Sequence, residues 1–220
     1  MLHDPRPIFL WKVTLNNKKI ISSNCDSVII RFIDYCNDNL RYMDSMKIVN
    51  VICSGDLGQK INLNSLLQIC GEKYHYDPEI YPAGYICLPN CKITIYSSGK
   101  YIIVGLKSLE HIESTFLQLL TILSHYLSLS SLQKPTIQNI VATDTIEKRI
   151  SLKALYSSFS AGDTVKYEPK RFPALIYKTN GVTTLIFSSG KLVIMGAKSE
   201  LTIQSTLQKI KKICKNYTVS

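Results

Sequence analysis

The chain has 220 residues, 45% of them hydrophobic, with a formal net charge of +10 and seven cysteines. That much apolar material can form one or two cores and excludes a disordered tail, while the cation excess favours a polyanionic partner: nucleic acid, an acidic protein or a membrane surface. An odd cysteine count without a C-x-x-C pair argues against a disulfide framework or zinc ribbon and for a reducing compartment; no signal-peptide pattern opens the chain, and no run of about 18 apolar residues is flanked as a membrane span would be.

In chain order, Pro7–Leu15 reads as a strand, Asn16–Lys19 as a turn and Asp26–Met43 as a helix capped by Asp26, with Val28, Ile29, Phe32, Ile33 and Tyr35 apolar. This segment, residues 1–46, is read as an ordered extension too short to be an independent domain. From Lys47 a direct repeat begins. Strand Lys47–Ser54, a short helix near Leu63–Cys70, a meander over Tyr76–Lys107 and a helix over Leu109–Leu127 form the first copy, residues 47–132. Strand Thr136–Thr143, helix Ser151–Phe159, meander Tyr167–Lys198 and helix Ser199–Asn216 form the second, residues 133–220. Gly99 and Gly190, and Lys107 and Lys198, are 91 residues apart; Asn50 and Asn139 are 89 apart.

The second meander is the clearest. Its runs Ala174–Tyr177, Val182–Phe187 and Leu192–Ala197 are separated by Thr179-Asn180-Gly181 and Ser188-Ser189-Gly190, as three antiparallel strands require. Leu185, Phe187, Val193 and Met195 fall on one face, and Ile186, Leu192 and Ile194 on the other. Both faces are apolar, so the one that does not meet helices is either covered or used for binding. In the last helix Ile203, Leu207, Ile210, Cys214 and Tyr217 mark one stripe. The first long helix has no charged residue from Phe116 to Leu132 and is expected to be covered around more of its circumference, by the N-terminal extension or else by a partner protein or a second copy of this chain. Cys87 and Cys91 read as small strand residues rather than metal ligands. No metal or cofactor is expected.

The two copies, with IQNIVAT at Ile137–Thr143, YEPKRFP at Tyr167–Pro173, LIFSSGK at Leu185–Lys191 and GAK at Gly196–Lys198, resemble the conserved core of the TATA-binding protein family from about Lys47 to Tyr217. The first copy, with VNVICSG, YDPEIYP, TIYSSGK and GLK, matches more weakly. The resemblance implies an α+β saddle: a curved antiparallel sheet of two tandem repeats, helices on its convex side, and a concave side that sits on the minor groove of A·T-rich double-stranded DNA and bends it with kinking side chains.

Carried over by position, the resemblance makes Phe172 and Phe187, and Tyr81 and Tyr96, the paired wedges. Asn50 and Asn139 become the central asparagines whose amide donors meet minor-groove acceptors. Ile52, Ile102, Val141 and Val193, with Leu185, cover the groove floor, and Lys100, Lys107, Lys178, Lys191 and Lys198 contact phosphates. Several positions depart from the family. Val104 and Met195 replace threonines at the centre, and Cys87 stands where a base is expected. Glu168 remains from an acidic stirrup offered to transcription factor IIB, but Lys170 replaces an acid.

The resemblance implies a general transcription initiation factor working with a transcription factor IIB-like protein and the RNA polymerase machinery. Its place would be the nucleus if cellular, or a cytoplasmic virus factory or virion if viral; the divergence and the Ile, Lys, Asn and Tyr richness fit a large DNA virus or a fast-evolving eukaryote. The alternatives are a related interaction platform with weak or lost DNA binding, and an enzyme carrying a saddle domain. Against the last, His3, His75, His111 and His125 form no catalytic motif and no phosphate-cradling glycine loop occurs.

Overall fold

Each glycine-punctuated apolar run forms a strand, and the strands join in one sheet. The computed structural model describes residues 46–219 apart from 125, 128–131, 161 and 163. The strand expected at Pro7–Leu15 and the helix at Asp26–Met43 lie outside the described residues. The first repeat runs β1 (Lys47–Asp56), α1 (Ser65–Cys70), β2 (Tyr74–His75), β3 (Ala83–Leu88), β4 (Cys91–Tyr96), β5 (Lys100–Leu106) and α2 (His111–Ile122). The second runs β6 (Thr136–Thr145), β7 (Arg149–Ile150), α3 (Leu152–Ser157), β8 (Thr164–Lys166), β9 (Ala174–Thr179), β10 (Val182–Phe187), β11 (Lys191–Ala197), α4 (Glu200–Cys214) and β12 (Thr218–Val219).

Ten strands pair in the order β2-β3-β4-β5-β1-β6-β11-β10-β9-β8, so the second half mirrors the first about the β1–β6 pair; β12 and β7 form a separate two-stranded sheet. At the centre Asn50 faces Val141, Val51 faces Ile140 and Ile52 faces Asn139. The two repeats therefore share one continuous antiparallel sheet.

The strand parity expected from sequence holds. Ile186, Leu192 and Ile194 are fully buried, as are Ile93, Ile95 and Ile103 in the first repeat. Ile203, Leu207, Ile210 and Cys214 of α4 belong to the same core as Phe116 and Leu119 of α2. Each buried aliphatic side chain contributes about 1.5–3 kcal/mol, which fixes the register of each strand against a one-residue slip. No helix among the described residues is long and apolar enough to cross a membrane.

The first long helix differs from expectation in length and in its outer face. It ends at Ile122, and the chain then turns so that Leu123 and Leu127 are buried. Tyr126 pins that turn: its hydroxyl accepts from the Asn62 N–H at 2.9 Å, and its carbonyl accepts from Gln59 Nε2 at 2.9 Å. The exposed stripe of α2 is Glu113, Ser114, Leu117, Gln118 and Thr121. Absence of charge had suggested an apolar circumference, but serine, threonine and glutamine solvate a helix without charge. Only Leu117, 57% exposed, is a large apolar residue on that stripe. The covering role expected of residues 1–46 lies outside the described residues.

The cores of the two repeats are filled differently at one equivalent position. Gly55 pairs across strands with Tyr101, whose ring occupies the space a Cβ at residue 55 would need. Tyr101 stacks on Phe116 with centroids 5.9 Å apart. In the second repeat the equivalent pair is Asp144 and Leu192. There Asp144, fully buried, forms an ion pair with Lys211 of α4 at 2.7 Å, the lysine side chain being 10% exposed.

Candidate nucleic-acid interface

The face opposite the helices is laid out in rows across the strands. Lys178, Thr183 and Met195 form one row of the second repeat, and Ile176, Leu185, Val193 and Thr143 the next. The first repeat supplies Cys87, Lys92 and Val104, then Tyr85, Thr94, Ile102 and Ser54. The apolar members Ile52, Ile102, Val104, Val141, Leu185, Val193 and Met195 are all half-buried, forming a floor that no described helix covers.

At the centre two asparagines are fixed by β-bulges. Between its pairings Val51↔Leu106 and Cys53↔Ile103, β5 uses one residue more than β1; β11 does the same against β6 between Ile194 and Ala197. A bulge leaves a backbone N–H without a ladder partner. Here Asn50 Oδ1 accepts from the Gly105 N–H at 2.9 Å, and Asn139 Oδ1 accepts from the Gly196 N–H at 2.7 Å. A backbone N–H only donates, so the carbonyl oxygen of each amide must face it, and the two Nδ2 protons are left for whatever approaches the face. Gly196 adopts φ 96°, and a Cβ there would lie 2.6 Å from the Gly181 carbonyl oxygen, so the bulge requires glycine. Val104 and Met195 immediately precede these glycines and bring no hydroxyl to the centre.

The four aromatics stand as two pairs on equivalent turns. The Tyr81 N–H donates to the Asp77 carbonyl at 3.0 Å, and the Phe172 N–H to the Glu168 carbonyl at 2.9 Å; Pro82 and Pro173 follow, lacking the N–H that would prolong the turn. Phe172 and Phe187 meet edge to face with centroids 6.3 Å apart. Tyr81 and Tyr96 instead join hydroxyl to hydroxyl at 3.0 Å. That bond and partial burial hold the Tyr96 hydroxyl above the usual phenol range. Tyr81 and Phe172 remain 47% and 39% exposed, uncommon for aromatics that serve only a core.

Lys100, Lys107, Lys178, Lys191 and Lys198 are all exposed, with Lys100 opposite Asp56 and Lys191 opposite Thr145. Sequence reasoning missed Lys92. Cys87 occupies the position of Lys178, and its cross-strand partner is Lys92, which in turn occupies the position of Thr183. The cation has moved one strand across the hairpin, and Lys92 Nζ lies 3.5 Å from the centroid of the Tyr85 ring. Comparing the two hairpins as cross-strand pairs, rather than position by position, would have found it. Glu168 is bracketed by Lys166 at 3.0 Å and Arg171 at 3.4 Å. Among the described residues, no three His, Cys, Asp or Glu side chains gather in a metal-binding cluster.

A two-repeat sheet with helices on one side, and on the other an apolar floor, paired aromatics at equivalent turns and lysines along the strand ends, defines a saddle-type protein. The chain belongs to the TATA-binding protein family: the family model described as "Transcription factor TFIID (or TATA-binding protein, TBP)" matches residues 45–126 and 134–217, one segment per repeat. A relative named TATA-box-binding protein C, from Halobacterium salinarum, is 34% identical over 172 residues, covering 74% of this chain and 94% of its own length. The TATA-box-binding protein of Methanocaldococcus jannaschii is 36% identical over 174 residues, covering 75% and 91%. A solved structure, Methanococcus jannaschii TBP, superposes with a TM-score of 0.68 at 33% identity, covering 78% of this chain and 99% of that one.

Proposed function

We propose that this protein is a general transcription initiation factor that binds A·T-rich promoter DNA through the minor groove and bends it. The observation that carries the proposal is the anchoring of Asn50 and Asn139, whose oxygens are turned to bulge N–H groups so that their amide donors are available to the open face. The minor-groove edge of an A·T pair offers only acceptors, adenine N3 and thymine O2, so the centre of the face is complementary to it. Ile52, Ile102, Val141, Leu185 and Val193 lie against the groove floor, while Val104 and Met195 fit it by shape. The lysines, Lys92 included, neutralise phosphates.

Phe172 with Phe187 and Tyr81 with Tyr96 enter base steps at the two ends of the footprint. Unstacking costs a few kcal/mol per step, offset by the protein surface that the bent duplex buries. The protein acts by binding, without catalysis, at the site where its template is transcribed. Its protein partners are a transcription factor IIB-like factor and the polymerase machinery.

Competition binding of the full chain at fixed salt, between duplexes differing only in an A·T-rich or G·C-rich core, tests the proposal. Preference for the A·T-rich core is expected. Equal affinity for both would remove the minor-groove reading.

A further inference from the structure

The two aromatic pairs differ in what they offer a base edge. One tyrosine hydroxyl of the Tyr81 and Tyr96 pair donates to the other across 3.0 Å. With that bond made, the pair still holds one unspent O–H and lone pairs on both oxygens. Phe172 and Phe187 hold neither. In the minor groove an A·T pair presents acceptors alone, whereas a G·C pair adds the guanine N2 amino donor. Against A·T the unspent O–H finds an acceptor but the lone pairs find no donor. Against G·C both are matched, while at the phenylalanine end guanine's amino group would lose water and gain nothing.

We propose that the Tyr81 and Tyr96 hydroxyl pair reads the base step at its end of the footprint, favouring a G·C pair there, and so gives this nearly two-fold protein a fixed direction on DNA. The inference rests on the DNA-bending function proposed above. The two turns share their backbone hydrogen bonds, so the chemical difference between the ends lies in the side chains. Either direction of docking satisfies the asparagines, because Asn50 beside Val141 and Asn139 beside Ile52 repeat each other across the centre. The hydroxyls break that equivalence.

The test uses the full chain and four duplexes: an all-A·T footprint, one with guanine·cytosine at a single end step, one with inosine·cytosine at that step, and one with guanine·cytosine at both end steps. Inosine lacks the N2 amino group and is otherwise guanine. The guanine duplex should bind about two- to tenfold tighter than the inosine duplex, the span of one net hydrogen bond. Guanine at both ends should bind more weakly than guanine at one. For the Tyr81→Phe/Tyr96→Phe variant the readout is the ratio of its affinities for the guanine and inosine duplexes, which should fall to one whatever its affinity for the all-A·T duplex. Equal affinity of the wild type for guanine and inosine, or a preference that survives the double substitution, would overturn the inference while leaving the bending function intact. Failure to bind any of the four duplexes would instead overturn the DNA-binding proposal itself.

Discussion

Asn139 and Gly196 lie 57 positions apart in the chain, yet the Asn139 side-chain oxygen accepts the Gly196 N–H at 2.7 Å. Asn50 and Gly105 repeat the contact at 2.9 Å. One residue thus serves fold and site together: its oxygen closes a β-bulge, and its amino group faces the open side of the sheet.

Those two roles can be separated. In Asn139→Asp an oxygen still accepts from Gly196, but the outward donors are gone and a negative charge takes their place. Unfolding in urea should stay close to wild type, while affinity for an A·T-rich duplex should fall at least tenfold, each lost base contact being worth about 1–3 kcal/mol. In Asn139→Ala the Gly196 N–H loses its acceptor, so stability should also drop, by about 1–3 kcal/mol. Equal destabilisation by both substitutions would show that the oxygen is not what holds the bulge.

The displaced cation gives a second test. With Lys92 counted beside the five lysines expected from sequence, the slope of log affinity against log salt should be about −5, at roughly −0.9 per phosphate. Lys92→Thr should flatten it by about one unit. Adding Cys87→Lys to that variant recreates the arrangement of Lys178 and Thr183 in the second repeat and should restore the slope. A slope that ignores both changes would place Lys92 outside the footprint.

Stability should depend on the buried pair of Asp144 and Lys211, 2.7 Å apart. Lys211→Met leaves a buried carboxylate without its cation and should cost about 3–5 kcal/mol in denaturant unfolding. Asp144→Leu combined with Lys211→Met should cost much less, because no charge remains buried. If the single and double variants lose the same stability, packing rather than charge governs the site.

Much of the fold was legible because glycine-bounded runs with alternating buried positions leave little choice of register. Parity alone separated Ile186, Leu192 and Ile194 from Leu185, Phe187, Val193 and Met195, and the first three are fully buried; which of the two apolar faces was covered came only with the resemblance. The candidate site was legible only through the resemblance: no local pattern marks Asn50 or Asn139, since their hydrogen-bond partners lie on a neighbouring strand at a bulge that the sequence does not announce. Lys92 escaped for a related reason, because its equivalence to Lys178 exists between paired strands and not along the chain. The outer face of α2 is less apolar than expected, because Gln118 and Thr121 share it with Leu117 while Phe116 and Leu119 turn inward.

The central claim, that this face bends DNA by aromatic insertion, is tested most directly by energy transfer between fluorophores at the two ends of an A·T-rich duplex. Binding of the wild-type chain should bring the ends closer. Phe187→Ala should lose more of that approach than Tyr96→Ala, because the phenyl pair enters a base step without burying hydroxyls that need partners. An end-to-end distance that does not change when the protein is bound would contradict the account.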